Sequence, residues 1–296
     1  MPTNQKILYV LGSASAVAAP HAGCSEGPLA LQQSPYMAKL SEQGIQLNWQ
    51  AILTPKPVTA TFTVDQVVAT HCQQLAQAVS DMVANKCFFT VFGGDHSCAI
   101  GTWSGAYNII GKQGDMGLIW IDAHMDSHTP ETSETGNIHG MPLACLLGHG
   151  SSQLTHILTN QPKFKPEHIS LIGVRSFESG EQELLKRLNV RIFYMAEVKA
   201  RGLEAVMAEA LKIATTGTVA YGVTLDIDSI DPVDAPGTGV SEPDGLSATE
   251  LCRALKQVAG DARLIGIEIV EFDPYRDIDH KTEKLVPELL VAMTRV

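Results

Sequence analysis

The sequence predicts an α/β protein: a single three-layer α/β/α domain over residues 1–296, with a mostly parallel sheet of about eight strands. Three observations predict it. Short apolar runs alternate with longer stretches of helical period along the chain. Several runs are apolar on both faces, such as Phe88-Phe89-Thr90-Val91-Phe92 and Leu118-Ile119-Trp120-Ile121, which suits a parallel sheet covered by helices on both sides. No linker rich in Pro, Gly or Ser divides the chain.

In chain order, strands are expected at 6–11, 46–53, 88–92, 117–122, 168–174, 190–194, 219–226 and 263–270. The first follows Lys6 and runs into the small residues Ala14 to Ala19, which mimics a secretory leader. Its apolar core, Ile7 to Leu11, is short for that, so it reads as a buried strand. The stretch 64–84 repeats Val64, Val67, Val68, Cys72, Leu75, Val79, Met82 and Val83 at spacings of three and four, and predicts a helix. Helices are likewise expected at 203–214, 248–259 and 285–294. Ser247-Ala248-Thr249-Glu250 reads as a capping box, and Pro287 as a first-turn residue of the last helix. Loops 12–36, 123–150 and 227–247 are long for this architecture, and long loops in compact domains usually bind something.

Composition narrows the function. The 296 residues carry 21 Lys and Arg against 32 Asp and Glu, a net charge of −11. That balance argues against nucleic acid or a membrane surface as partner and leans toward a cationic ligand. No apolar run reaches membrane-spanning length. Cys24, Cys72, Cys87, Cys98, Cys145 and Cys252 form no CxxC pair and read as reduced thiols, which places the protein in the cytoplasm.

The chemistry lies at strand ends. Gly93-Gly94-Asp95-His96-Ser97 follows one strand, and Asp122-Ala123-His124-Met125-Asp126 follows another. A third ends in Asp226-Ile227-Asp228, and a fourth in Glu271-Phe272-Asp273-Pro274. In a parallel sheet these ends share one edge, where open α/β sheets bind ligands. Spacing of two puts Asp122, His124 and, if the strand stays extended, Asp126 on one side; Asp226 and Asp228 pair likewise. Four close carboxylates need compensating cations, and two divalent ions balance them. Oxygen ligands with some nitrogen suit manganese and admit iron, cobalt, nickel or zinc. Two ions about 3.5–4 Å apart can share a bridging water and ionise it at neutral pH. Asp231 and Asp273, each before a proline, read as turn residues, and Asp95 as a group that positions its neighbours.

GGDHS at 93–97, DAHMD at 122–126 and DIDSIDP at 226–232 resemble the three signatures of the ureohydrolase superfamily, which holds arginases and agmatinases. The resemblance implies a dimanganese centre. His96, Asp122, Asp126 and Asp226 would hold one ion, and Asp122, His124, Asp226 and Asp228 the other, with Asp122 and Asp226 bridging. The stretch 129–142, ending Gly136-Asn137-Ile138-His139-Gly140-Met141-Pro142, is most similar to the arginase version. By that resemblance Ser133, Thr135 and Asn137 bind a substrate carboxylate, His139 shuttles a proton, and Glu271 meets the guanidinium. Asp126 would accept the proton of the attacking hydroxide. Two positions depart from the arginase pattern, His128 in place of Asn and Glu178 in place of the Asp that helps bind the α-amino group, and the loop 237–246 is not the commonest arginase version either. The implied reaction is attack of a metal-bridging hydroxide on L-arginine, giving L-ornithine and urea, in a homo-oligomer that is trimeric or hexameric. Another ureohydrolase activity (agmatinase, guanidino-acid hydrolase or formimidoylglutamase) is the nearest alternative. A zinc deacetylase of related fold and a non-catalytic homologue are more remote.

Overall fold

All eight expected strands form, and every ladder between them is parallel rather than mostly so. The computed structural model describes residues 6–294. The strands are β1 (Lys6–Ser13), β2 (Ile45–Leu53), β3 (Phe89–Gly93), β4 (Met116–Ile121), β5 (Ile169–Val174), β6 (Arg191–Tyr194), β7 (Ala220–Asp226) and β8 (Leu264–Val270). Their order in the sheet is β2-β1-β3-β8-β7-β4-β5-β6. The four strands that end in the His and Asp motifs, β3, β8, β7 and β4, are therefore contiguous at the centre.

The longer helices are α1 (Val64–Ala84), α2 (Cys98–Ile110), α3 (Ser179–Arg187), α4 (Leu203–Thr215), α5 (Ala248–Leu255) and α6 (Lys281–Thr294). Strand alternation divides the core between the two faces of the sheet. Ile119, Ile121, Val223, Leu225, Ile267 and Ile269 pack with α4, α5 and α6 through Val206, Leu251 and Leu289. Val91, Leu118 and Trp120 pack on the other face with α1 and α2 through Leu75, Val79 and Trp103.

Helix α1 has the expected bounds and is closed by a capping box of Thr63 and Gln66. Helix α2 escapes the periodicity argument because it is covered nearly all round, from Cys98 to Ala106. Two capping expectations are corrected. Ser247 is the N-cap of α5 but its side chain makes no cap bond; the Ala248 N–H donates instead to Asp234 Oδ2 at 2.9 Å. Pro287 lies inside α6, because the helix starts earlier than expected, at Lys281, where Asp277 accepts from the Thr282 and Glu283 N–H groups. No helix among the described residues is long and apolar enough to cross a membrane.

Candidate metal centre and substrate cleft

The GGDH turn leaves β3 under a backbone constraint. Gly94 donates its N–H to Ser13 O at 2.7 Å, and a Cβ there would stand 1.9 Å from Ser15 O. Only glycine lets the loop after β1 approach so closely. That approach fixes Asp95, whose carboxylate accepts from the Ser97 and Ala18 N–H groups. Burial raises Asp95 to about 6, against the pull of those hydrogen bonds. It positions the turn that delivers His96, as the sequence suggested.

His96 is 1% exposed, and three carboxylate oxygens face its Nδ1: Asp122 Oδ2 at 3.2 Å, Asp126 Oδ2 at 2.9 Å and Asp226 Oδ2 at 3.1 Å. A second group forms beside it. His124 Nδ1 lies 3.0 Å from Asp228 Oδ2 and 3.5 Å from Asp122 Oδ1. Asp122 thus faces both imidazoles with different oxygens. Asp226 stands with the His96 group, and its Oδ1 accepts from the Asp228 N–H at 2.8 Å.

The convergence is achieved differently from simple strand alternation. Strand β4 ends at Ile121, and Asp126 reaches the group through a left-handed backbone with φ of 47°. Asp228 follows Asp226 in a tight turn over Ile227–Ser229 rather than an extended strand. The expectation that extension persists through Asp126 is therefore corrected: the loop bends the carboxylate back.

These residues fit a pair of divalent cations. His96 Nδ1 and Asp126 Oδ2 are buried and have no hydrogen-bond partner among the described residues, although they stand 2.9 Å apart. Three carboxylate oxygens and an imidazole nitrogen converging on one buried point are what a cation requires, and the mixed oxygen and nitrogen set suits a divalent one. The electrostatics agree. Burial, then the Asp122 charge, raises Asp126 to about 6. Burial with the Asp228 and Asp122 charges pushes Asp226 well up. Burial alone would lower His96, yet Asp122, Asp126 and Asp226 hold it well above the ordinary imidazole value. The cluster demands positive charge.

Beside it opens a cleft of about 300 Å³ that brings Ser133, Thr135, Asn137, His139, Glu178 and Glu271 to one wall system with Asp126 and His128. Ser133 Oγ accepts from the Gly136 N–H and Thr135 Oγ1 from the Asn137 N–H, at 3.0 and 3.2 Å. Each hydroxyl hydrogen is then left to donate elsewhere, which suits an anion. Glu271 turns into the cleft through a left-handed backbone with φ of 64°. Its Oε1 accepts from the His96 N–H at 2.9 Å and lies 3.2 Å from His139 Nδ1. Burial would lower His139, but Glu271 chiefly, with Asp126 and Asp95, holds it up at about 9.

The two departures meet each other. His128 Nε2 bonds Glu178 Oε2, and its Nδ1 lies 3.1 Å from Thr132 Oγ1. Glu181, which the sequence reading passed over, sits 3.5 Å from the same imidazole and accepts from the Ser127 and Glu178 N–H groups. Its signal was available as the Glu three residues beyond Glu178, at the start of α3. Trp120, whose apolar run marks it only as strand core, donates its indole N–H to Asp122 Oδ2 at 2.8 Å and stacks its ring on His96.

Imidazoles and carboxylates gathered at the carboxyl edge of a parallel sheet, above a polar cleft, define a metal-dependent hydrolase. A sequence model described as the arginase family matches residues 8–294, and the chain belongs to the arginase family. It is 35% identical over 294 residues to the arginase of Brevibacillus brevis, covering 97% of each chain. The native arginase structure from Bacillus caldovelox superposes with a TM-score of 0.89 at 33% identity, over 98% of each chain. An Entamoeba histolytica arginase structure in complex with L-ornithine gives a TM-score of 0.89 at 28% identity, over 99% of each chain.

Proposed function

We propose that the chain, acting as a single domain, hydrolyses L-arginine to L-ornithine and urea. The observation that carries this reading is the placement of Ser133, Thr135 and Asn137 on the same cleft as Glu271 and the two metal-ligand groups. The cleft offers hydroxyl and amide donors to a carboxylate and the Glu271 carboxylate to a guanidinium, the two groups that arginine carries. The Entamoeba histolytica relative, solved with L-ornithine, supports the same product class.

His96, Asp122, Asp126, Asp226, His124 and Asp228 would hold two ions, for which manganese is the proposed identity. A bound pair supplies an ionised water as nucleophile at neutral pH. Glu271 receives the guanidinium and sets the plane of its carbon toward the metal groups. Asp126 takes up the proton released as the water adds. His139 holds a proton at the cleft and gives it to the departing amine, since an amide anion cannot leave. Glu178, paired with His128, meets the α-ammonium group. The six cysteines are all free, which supports a reducing, cytoplasmic setting. A homo-oligomer, trimeric or hexameric, belongs to the same reading and is checked by light scattering.

The test is a panel of L-arginine, agmatine, a guanidino acid and formiminoglutamate with manganese-loaded protein. Arginine is expected to be hydrolysed most efficiently. Preference for agmatine, which lacks a carboxylate, would sink the assignment of Ser133, Thr135 and Asn137.

A further inference from the structure

The cleft wall carries a third group of convergent side chains, apart from the two that face the metal positions: His128, Glu178 and Glu181. The His128 N–H donates to Gly140 O at 2.9 Å. The Thr129 N–H donates to Thr132 Oγ1 at 2.9 Å, and that hydroxyl lies 3.1 Å from His128 Nδ1. Backbone and ring of His128 are therefore both held. Its Nε2 points at the two carboxylates, bonding Glu178 Oε2 and standing 3.5 Å from Glu181 Oε2.

The protein satisfies these carboxylates itself. Ionised carboxylates only accept, so His128 Nε2 carries the hydrogen and gives it to Glu178. Glu181 is 3% exposed, and its two oxygens accept from the Ser127 and Glu178 N–H groups, each at 3.1 Å. Both acids have donors before any substrate arrives.

That pairing bears on selectivity. A site rejects an analogue that lacks an N–H group when binding it leaves a buried acceptor unpaired, and such rejection reaches about 10⁴–10⁵-fold. Here a substrate without an α-ammonium leaves neither carboxylate without a donor. The groups that meet the rest of the substrate are separate: Ser133 and Thr135 offer hydroxyls to a carboxylate, and Glu271 an acceptor to a guanidinium. A carboxylate accepts several hydrogen bonds, so Glu178 can still meet an α-ammonium. The ammonium adds a contact but is dispensable.

We propose that the protein also hydrolyses guanidino carboxylic acids that lack an α-amino group, and that His128 permits this by standing in for the missing ammonium. This second activity rests on the reading of the cleft as an arginine site. The reaction is the same. The water oxygen joins the guanidinium carbon, the bond from that carbon to the chain nitrogen breaks, and both water protons end on the departing nitrogen. From δ-guanidinovalerate, which is arginine without its amino group, the products are δ-aminovalerate and urea, with no change in net charge.

The test compares kcat/KM for L-arginine and δ-guanidinovalerate, read as urea released, in manganese-loaded wild type and His128→Ala. In wild type the analogue is expected to be poorer by about a hundredfold at most, and a greater loss overturns the proposal. In His128→Ala the gap between the two substrates is expected to widen about threefold or more, because only arginine then brings Glu178 a donor. The effect is moderated by solvent, since the Glu178 side chain is 66% exposed. A gap that stays the same or narrows overturns the proposal. Should His128→Ala fail to fold, calorimetric binding of L-ornithine and δ-aminovalerate to wild type carries the test. Their dissociation constants are expected within about a hundredfold of each other, and a wider separation overturns the proposal. If wild type releases urea from arginine and none from the analogue, this inference alone fails; if it releases urea from neither, the arginine reading fails with it.

Discussion

His139 and Glu271, 132 residues apart in the chain, meet in the cleft with Nδ1 3.2 Å from Oε1. The same oxygen accepts the His96 N–H at 2.9 Å. A single carboxylate therefore ties the His139 imidazole to the backbone of the GGDH turn, and any movement of Glu271 is felt at both.

Because His139 is held up at about 9, it carries its proton at neutral pH and loses it above that value. The rate of the amine-leaving step should accordingly fall as pH rises past about 9. His139→Asn is expected to lower kcat by roughly 10²–10³ with a smaller effect on KM, and to abolish that alkaline limb. PH profiles of kcat for both proteins check this.

Thr135 and Asn137 are assigned to a carboxylate that arginine has and agmatine lacks. Thr135→Ala and Asn137→Ala should each raise KM for arginine about tenfold or more, since hydrogen bonds to a charged group are worth about 1.5–3 kcal/mol. Residual turnover of agmatine should hardly change. Equal losses on both substrates contradict the assignment.

Arg175 spends its donors on five backbone carbonyls: Pro243 at 2.9 Å, Gly173 at 3.2 Å, Ser229 at 3.1 Å, Asp228 at 2.7 Å and Glu242 at 2.8 Å. It straps the loop after β7 to the end of β5, beside Asp228. Lysine offers three donors on a flexible stem and cannot span this fork. Arg175→Lys should cost about 2–4 kcal/mol, read as a Tm lower by roughly 3–6 °C in calorimetry.

His71 on α1 is buried, with Nε2 2.8 Å from Ser13 Oγ. Burial lowers it to about 4. Between its unfolded value near 6.5 and about 4, the unfolded chain binds the extra proton, so stability falls as pH falls through that window. The contribution is about 3 kcal/mol at its full extent. In guanidinium titrations of metal-free protein, His71→Asn should show a shallower loss of stability from pH 6.5 to 4 than wild type. Parallel slopes would falsify it.

Most of the sheet was legible because its central parallel strands are buried on both faces and so leave apolar runs. The six candidate metal ligands were legible because their motifs follow those runs. What escaped depends on contacts across chain distance. Helix α2 has no polar face to betray its period, and Thr224 and Glu268 look like isolated polar residues until the register of β7 and β8 pairs them. The bend at Asp126 was hidden because alternation cannot report a left-handed residue after the strand has ended. Arg175 was invisible for a further reason: its partners are carbonyls, which carry no sequence signal.

The most direct test of the account is urea released from L-arginine as metal-free protein is titrated with Mn²⁺. The account predicts that the rate climbs to a plateau at two ions per chain, and that Asp122→Asn, which removes the carboxylate facing both imidazoles, reaches no comparable plateau. A plateau at one ion, or no urea at any loading, would contradict it.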